Sequence, residues 1–181
     1  ACALLVSLAP IGISIAGADP AIRPGDHIAI IGNTYADQLR IHGYLETLLL
    51  QRTQGNPVSI RNLGWGGDTL SIRERPTNFP TEESALLAHK TDVIVICFGM
   101  GESYAGKVGL SDFRSHLKRI IVAHKGKKYN GESAVRIALV SPIAHEDHGE
   151  LSRNRKQRNK DLAAYVGAMQ QVASAEDVPF V

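Results

Sequence analysis

The sequence predicts a three-layer α/β/α sandwich built on a parallel sheet. Three observations carry this expectation. Apolar runs of strand length alternate with helical patterns along the chain, and the connections between those runs are too long for hairpins. The run Asp92 to Phe98 (DVIVICF) is apolar without alternation, as suits a central strand buried on both faces. The 181 residues are enough for one domain and not two.

Each element can be justified in turn. Ala21 to Asp26 (AIRPGD) is turn chemistry that launches the first strand, His27 to Ile31. Tyr35 to Arg52 places Leu39, Ile41, Leu45, Leu48 and Leu49 near helical spacing and predicts one helix, stopped by Gln54-Gly55-Asn56-Pro57. Val58 to Leu63 alternates and reads as strand two. Thr81 to His89 reads as a short helix, with Thr81 as its cap and Glu82-Glu83 in its first turn. Asp92 to Phe98 is strand three. Ser111-Asp112 opens a helix whose apolar face is Phe113, Leu117, Ile120 and Ile121. A basic turn, Gly126 to Gly131, leads to strand four at Ala134 to Val140. Arg153 to Ala175 reads as a long helix with a basic start, and Pro179-Phe180-Val181 begins strand five.

Composition narrows the class. Apolar content of 44% and charged content of 21% are ordinary for a soluble globular protein, and a net charge of +2 gives no push toward nucleic acid. The basic group Arg153, Arg155, Lys156, Arg158 and Lys160 lacks interleaved aromatics and reads as a solvated face. Residues Ala1 to Gly17 are almost wholly apolar, and Ala16-Gly17-Ala18 gives a small-x-small pattern before Asp19. We read residues 1–18 as a partial secretory signal and 19–181 as the folded part; the rival is an uncleaved membrane anchor. Pro10, Gly12 and the cleavage pattern favour the signal, which implies export and no membrane association after cleavage. The chain starts without Met and ends within a strand pattern, so both ends are expected to be cut. Cys2 lies in the leader, which leaves Cys97 alone, so no internal disulfide is expected. Cys97 sits in an apolar run and reads as a buried small hydrophobe.

Small and polar residues gather at three strand exits. These are Gly32-Asn33-Thr34, Gly64 to Thr69, and Gly99 to Ser103. In open α/β sheets, ligands bind beyond the carboxyl ends of the strands. Successive backbone N–H groups in glycine-rich turns form anion-binding hollows, as a developing oxyanion requires. Each loop alone is explained as a tight strand-to-helix turn. Three on one sheet edge point to a site.

These blocks resemble those of the SGNH (GDSL-type) hydrolases, a family of lipases, esterases and carbohydrate deacetylases. The family's first block, Gly-Asp-Ser after strand one, corresponds to Gly32-Asn33-Thr34. Its second, Asn-x-Gly-x-x-Gly-Asp, corresponds to Asn62-Leu63-Gly64-Trp65-Gly66-Gly67-Asp68. Its third, Gly-x-Asn-Asp, corresponds to Gly99-Met100-Gly101-Glu102. The resemblance covers Pro24 to Val181, and the variant with Gly-Asn-Thr and Gly-x-x-Glu-Ser resembles a branch of exported, planctomycete-type bacterial proteins. It implies a parallel sheet of flavodoxin-like order. It also implies Thr34 as the nucleophile, with the N–H groups of Thr34 and Gly67 in the oxyanion hole.

Three departures from the family pattern stand out. Thr34 replaces a serine, and its methyl crowds attack and stiffens the rotamer. Gly101 replaces the asparagine that completes the oxyanion hole, so one side-chain donor is gone. The Asp-x-x-His block is not found, and the resemblance places it beyond Val181. Inside the chain, His145 beside Glu146, or His148 beside Asp147, lies on the right sheet edge for a base. Adjacent acid and base on one loop rarely meet productively, so these read as polar loop residues. His27, His42, His89, His116 and His124 read as surface or boundary residues.

The expectation is therefore an exported ester hydrolase acting on small-molecule or carbohydrate esters, inactive as cut. The alternative is a degenerate hydrolase-like module that binds carbohydrate or another ligand without turnover. The catalytic candidates are Thr34, Gly67 and Gly101. Asn33, Trp65, Asp68, Glu102, Ser103 and His145 are the candidate substrate-binding residues. Trp65 either stacks on a sugar or packs over its loop. No cysteine or histidine spacing suggests zinc, and the spacing of Asp68, Glu102 and His145 does not demand an ion. The loops lack the Gly-Lys-Ser/Thr ending of a phosphate-binding loop. No metal or cofactor is expected, and the sequence leaves the oligomeric state open.

Overall fold

The computed structural model describes residues 21–149 and 154–181. Four strands, β1 (His27–Gly32), β2 (Ser59–Asn62), β3 (Val93–Cys97) and β4 (Arg136–Leu139), form one parallel sheet in the order β2-β1-β3-β4. Phe180 bridges Leu139 in parallel, so the expected fifth strand is seen as a single bridge outside β4. This is the expected flavodoxin-like order.

Alternating side chains on the central strands build two cores. Ile28 and Ile30 of β1 with Val93, Val95 and Cys97 of β3 face one layer of helices. Those helices are α1 (Thr34–His42) and α2 (Tyr44–Arg52), which contribute Ala36, Leu39, Leu45 and Leu49. Ala29, Ile31, Ile94, Ile96 and Leu139 face the other layer. There α3 (Glu82–Ala88), α4 (Leu110–His124) and α5 (Arg155–Glu176) supply Leu86, Phe113, Leu117, Ile121, Tyr165 and Met169. Every residue of β3 is buried, as its unbroken apolar run requires. At the sheet edge, β2 alternates exposed and half-buried.

The structure corrects four expectations. The single helix over Tyr35–Arg52 is two helices, because Gly43 adopts a left-handed conformation (φ 64°) between them. A 3-10 segment, Glu102–Gly109, precedes α4 and has no counterpart in the sequence reading. His124 is not a boundary residue: it is 7% exposed, with its Nδ1 2.7 Å from the Tyr129 hydroxyl. Arg158 is not part of a solvated face; its guanidinium lies 3.6 Å from the centre of the Tyr104 ring and donates to Ser103. The expected leader lies outside the described residues, as does Arg153. Among the described residues, no helix is long and apolar enough to cross a membrane.

The strand order reverses between β1 and β3. The chain leaves β1 to pair with β2 on one side, then returns across β1 to β3. Connections that depart in opposite directions leave a crevice at the carboxyl ends of these two strands, where ligands bind in such sheets. Thr34 follows β1 and Gly99 follows β3, so both lie at that crevice.

Candidate active site

Thr34 is exposed at the first position of α1. Asn33 makes that helix start possible. It is buried, its side-chain oxygen accepts the Tyr35 N–H at 3.1 Å, and its own N–H donates to the Cys97 carbonyl. Asn33 therefore pins the end of β1 to the end of β3 and caps the helix that carries Thr34. The N–H groups of a first helical turn have no intrahelical acceptor, and they carry the positive end of the helix dipole. The Thr34 N–H belongs to this set.

The glycine loop after β2 folds back toward that hydroxyl. The Gly67 N–H donates to Thr34 Oγ1 at 3.2 Å. Gly67 adopts φ +87°, a conformation that a side chain would strain. The loop is anchored from below: Leu63 N–H donates to Ile30 O, and Trp65 N–H to Gly32 O. Gly64 packs against α1 so closely that a Cβ there would meet the Ala36 Cβ and the Asp37 N at 2.7 Å each. Asn62 completes the attachment. Its Nδ2 donates to the Ala36 carbonyl at 2.7 Å and its Oδ1 accepts the Gly64 N–H at 2.8 Å.

Glu102 joins the second and third loops. One carboxylate oxygen accepts the Gly99 N–H at 2.9 Å and the other the Leu70 N–H at 2.8 Å. This carboxylate fixes backbone rather than facing a ligand. Gly101 has right-handed helical angles, and a Cβ built on it would meet only Thr69 Cγ2 at 3.7 Å and Asp68 O at 3.9 Å. The position beside the second loop thus has room for a side chain that the sequence does not supply.

The remaining candidates separate into two groups. Asp68 is 5% exposed, and both of its oxygens are held by Arg75, at 2.8 and 2.6 Å. Ser103 is fully buried; its hydroxyl donates to Met100 O and accepts from Arg158. These two hold the loops in shape. Trp65 is 41% exposed, edge-on to Phe79 with ring centres 5.4 Å apart, and Arg75 lies 4.7 Å from its ring centre. It therefore packs over its loop and still presents surface to a ligand. His145 is tied through its backbone to the Asn159 side chain, and its Nε2 is buried with no hydrogen-bond partner. Gly67 is the hydrogen-bond partner of the Thr34 hydroxyl among the described residues, and no described histidine contacts it. Among the described residues, no three His, Cys, Asp or Glu side chains gather to hold a metal ion.

A charged network stands behind the second loop. Arg73 pairs with Glu82 and lies 3.7 Å from Asp68, and Glu82 also lies 3.4 Å from His124 Nε2. Burial alone would raise the Glu82 carboxyl, but the hydrogen bonds and charges of His124 and Arg73 outweigh it and hold the group at about 2. The sequence reading places Asn62 at the head of the second block but assigns no role to it, to Arg73 or to Arg75. For the two arginines the signal is the Arg-x-Arg spacing just after a glycine loop that contains an acid.

No family model matches the sequence, and no curated protein matches it. Solved structures do. BT4096, described as a gut microbial diltiazem-metabolizing enzyme, is 17% identical with a TM-score of 0.63 over 88% of this chain and 37% of its own. A single-residue mutant of Axe2, an acetyl-xylooligosaccharide esterase from Geobacillus, is 17% identical with a TM-score of 0.62 over 90% of this chain and 78% of its own. The aryl esterase of M. smegmatis is 13% identical with a TM-score of 0.58 over 85% and 82%. This chain thus spans little more than a third of the first of these proteins and about four-fifths of the other two. What these proteins and this chain share is a fold.

Proposed function

We propose that this chain is the nucleophile-bearing part of an exported SGNH-type ester hydrolase acting on acyl esters of carbohydrates or other small alcohols. The observation that carries the proposal is the 3.2 Å contact between the Gly67 N–H and Thr34 Oγ1. It sets a backbone donor beside a hydroxyl at a helix start, the arrangement that acyl transfer needs. The esterase descriptions of Axe2 and the M. smegmatis protein support the same chemistry.

In this reading Thr34 Oγ1 attacks the ester carbonyl carbon and its proton passes to an imidazole. The carbonyl oxygen becomes an oxyanion held by the N–H groups of Thr34 and Gly67. Collapse expels the alcohol, which leaves with the proton, and water then releases the acid from the acylated threonine. The imidazole is assigned to a histidine that follows Val181 in the full-length protein, as the resemblance implies. The apolar character of residues 1–17 supports export.

The test is release of p-nitrophenol from p-nitrophenyl acetate by the full-length protein. Hydrolysis that is lost in Thr34→Ala supports the reading. Hydrolysis that survives in Thr34→Ala rejects Thr34 as nucleophile. A second reading, a binding module without turnover, is favoured by the empty position beside Gly101 and the lack of a described base at Thr34. Complete absence of hydrolysis would select it.

A further inference from the structure

A cavity of about 830 Å³ opens along the outer edge of β2, next to the site. Arg40, Arg61, Arg73, Arg75, Trp65 and Phe79 are among its walls. Gly66 also lines it, and a Cβ built on Gly66 would lie 3.8 Å from Thr34 Oγ1. Gly66 therefore sets one wall of this cleft beside the Thr34 hydroxyl.

The charge on its walls is lopsided. Four guanidinium groups face two lining acids, Asp37 and Glu82. Arg40 is bound to Asp37. Arg73 is bound to Glu82, whose other oxygen faces His124. Arg75 covers both oxygens of Asp68, whose side chain is only 4% exposed. The acids are thus engaged, while the guanidinium side of the network borders the cavity. The backbone of Arg61 pairs with β1, but its exposed side chain makes no hydrogen bond or ion pair with the described residues; the His89 ring lies within reach of its charge. An Arg fork with its donors unused takes a carboxylate through two parallel N–H···O bonds. Trp65 and Phe79 supply an apolar wall beside it.

We propose that this cleft is a specificity subsite for an ester whose alcohol part is a carboxylate-bearing sugar, with Arg61 as the carboxylate partner. The assignment of the sugar as the alcohol part rests on the ester-hydrolase reading. Carboxylate recognition itself needs no turnover, so it is tested separately.

Trp65 is the sole tryptophan of the 181-residue chain and reports on the cleft by its fluorescence. The chain is titrated with glucuronate, glucose and inorganic sulfate. Glucuronate is expected to bind at least tenfold more tightly than glucose, and to weaken as salt rises. Arg61→Gln should weaken glucuronate about tenfold, whereas the exposed and distant Arg119→Gln should not. Thr34→Ala should keep the glucuronate preference. Equal binding of glucuronate and glucose, no effect of Arg61→Gln, or sulfate binding as tightly as glucuronate would each overturn the proposal. Hydrolysis of p-nitrophenyl acetate by the full-length protein separates the two ideas. Hydrolysis without a glucuronate preference sinks the subsite alone. A glucuronate preference without any ester hydrolysis sinks the hydrolase reading and leaves the subsite standing.

Discussion

The Asn62 side chain bridges two pieces of backbone that the chain must bring together: its Nδ2 donates to Ala36 O at 2.7 Å and its Oδ1 accepts from Gly64 N at 2.8 Å. Ala36 lies on the helix that begins with Thr34, and Gly64 lies on the loop that delivers Gly67. One amide therefore ties the helix that starts at Thr34 to the loop that carries Gly67.

Asn62→Leu removes both bonds and leaves the Gly64 N–H without its partner, while the Ala36 carbonyl keeps its place in the α1 ladder. A stranded group of this kind costs about 1–3 kcal/mol. Thermal unfolding should show a clear drop in midpoint, and ester hydrolysis by the full-length protein should fall further than stability alone explains. Wild-type activity in a destabilised Asn62→Leu would show that loop position does not govern the site.

Gly101 has helical angles and open space around its Cβ direction, so an asparagine fits there. Removing one oxyanion donor costs about a hundredfold or more in other enzymes. Gly101→Asn in the full-length protein should therefore raise kcat for p-nitrophenyl acetate by about tenfold or more, with little change in KM. Thr34→Ser should also raise kcat, because it removes the methyl group that restricts the hydroxyl. A fall in kcat with Gly101→Asn would mean that this position does not face the reacting carbonyl.

Glu82 makes stability depend on pH in a defined direction. Its carboxyl is depressed from 4.5 to about 2 in the folded state. The unfolded chain binds the proton first as pH falls, so the stabilisation is complete above about pH 4.5 and is lost between there and about pH 2. A shift of this size is worth at most about 3 kcal/mol, since 1.36 kcal/mol corresponds to one pKa unit. Glu82→Gln should lower the urea midpoint at pH 7 and flatten its acid dependence. An unchanged acid limb in Glu82→Gln would assign that limb to other carboxylates.

Cys97 is buried at the end of β3, and burial pushes its thiol up to about 12. Iodoacetamide at pH 8 should leave it unmodified in the folded protein and alkylate it in urea. Fast alkylation of the folded chain would contradict the buried placement.

Much of this architecture was legible because it rests on local pattern. The unbroken run Val93–Cys97 and the apolar residues of His27–Gly32 specify central parallel strands. Glycines and small polar residues at the strand ends mark the crevice, and the resemblance to the SGNH blocks implies the pairing of Thr34 with Gly67. What escaped depends on which side chains meet in space, which no periodic pattern encodes. His124 reads as a boundary polar residue until Glu82 and Tyr129 are placed around it. Asp68 reads as a ligand-facing acid until Arg75, seven residues on, closes over it. Glu102 reads likewise until the Gly99 and Leu70 amides claim both of its oxygens. Gly43 was lost inside a continuous apolar pattern, because an isolated glycine within a helical pattern is often tolerated.

The most direct test is covalent. The full-length protein is treated with an acyl-mimicking fluorophosphonate, digested, and the modified residue located by mass spectrometry. The account predicts a single adduct on the Thr34 hydroxyl, abolished by Thr34→Ala and by strain at Gly67→Val. An adduct on Ser141, or on any hydroxyl other than that of Thr34, would contradict it.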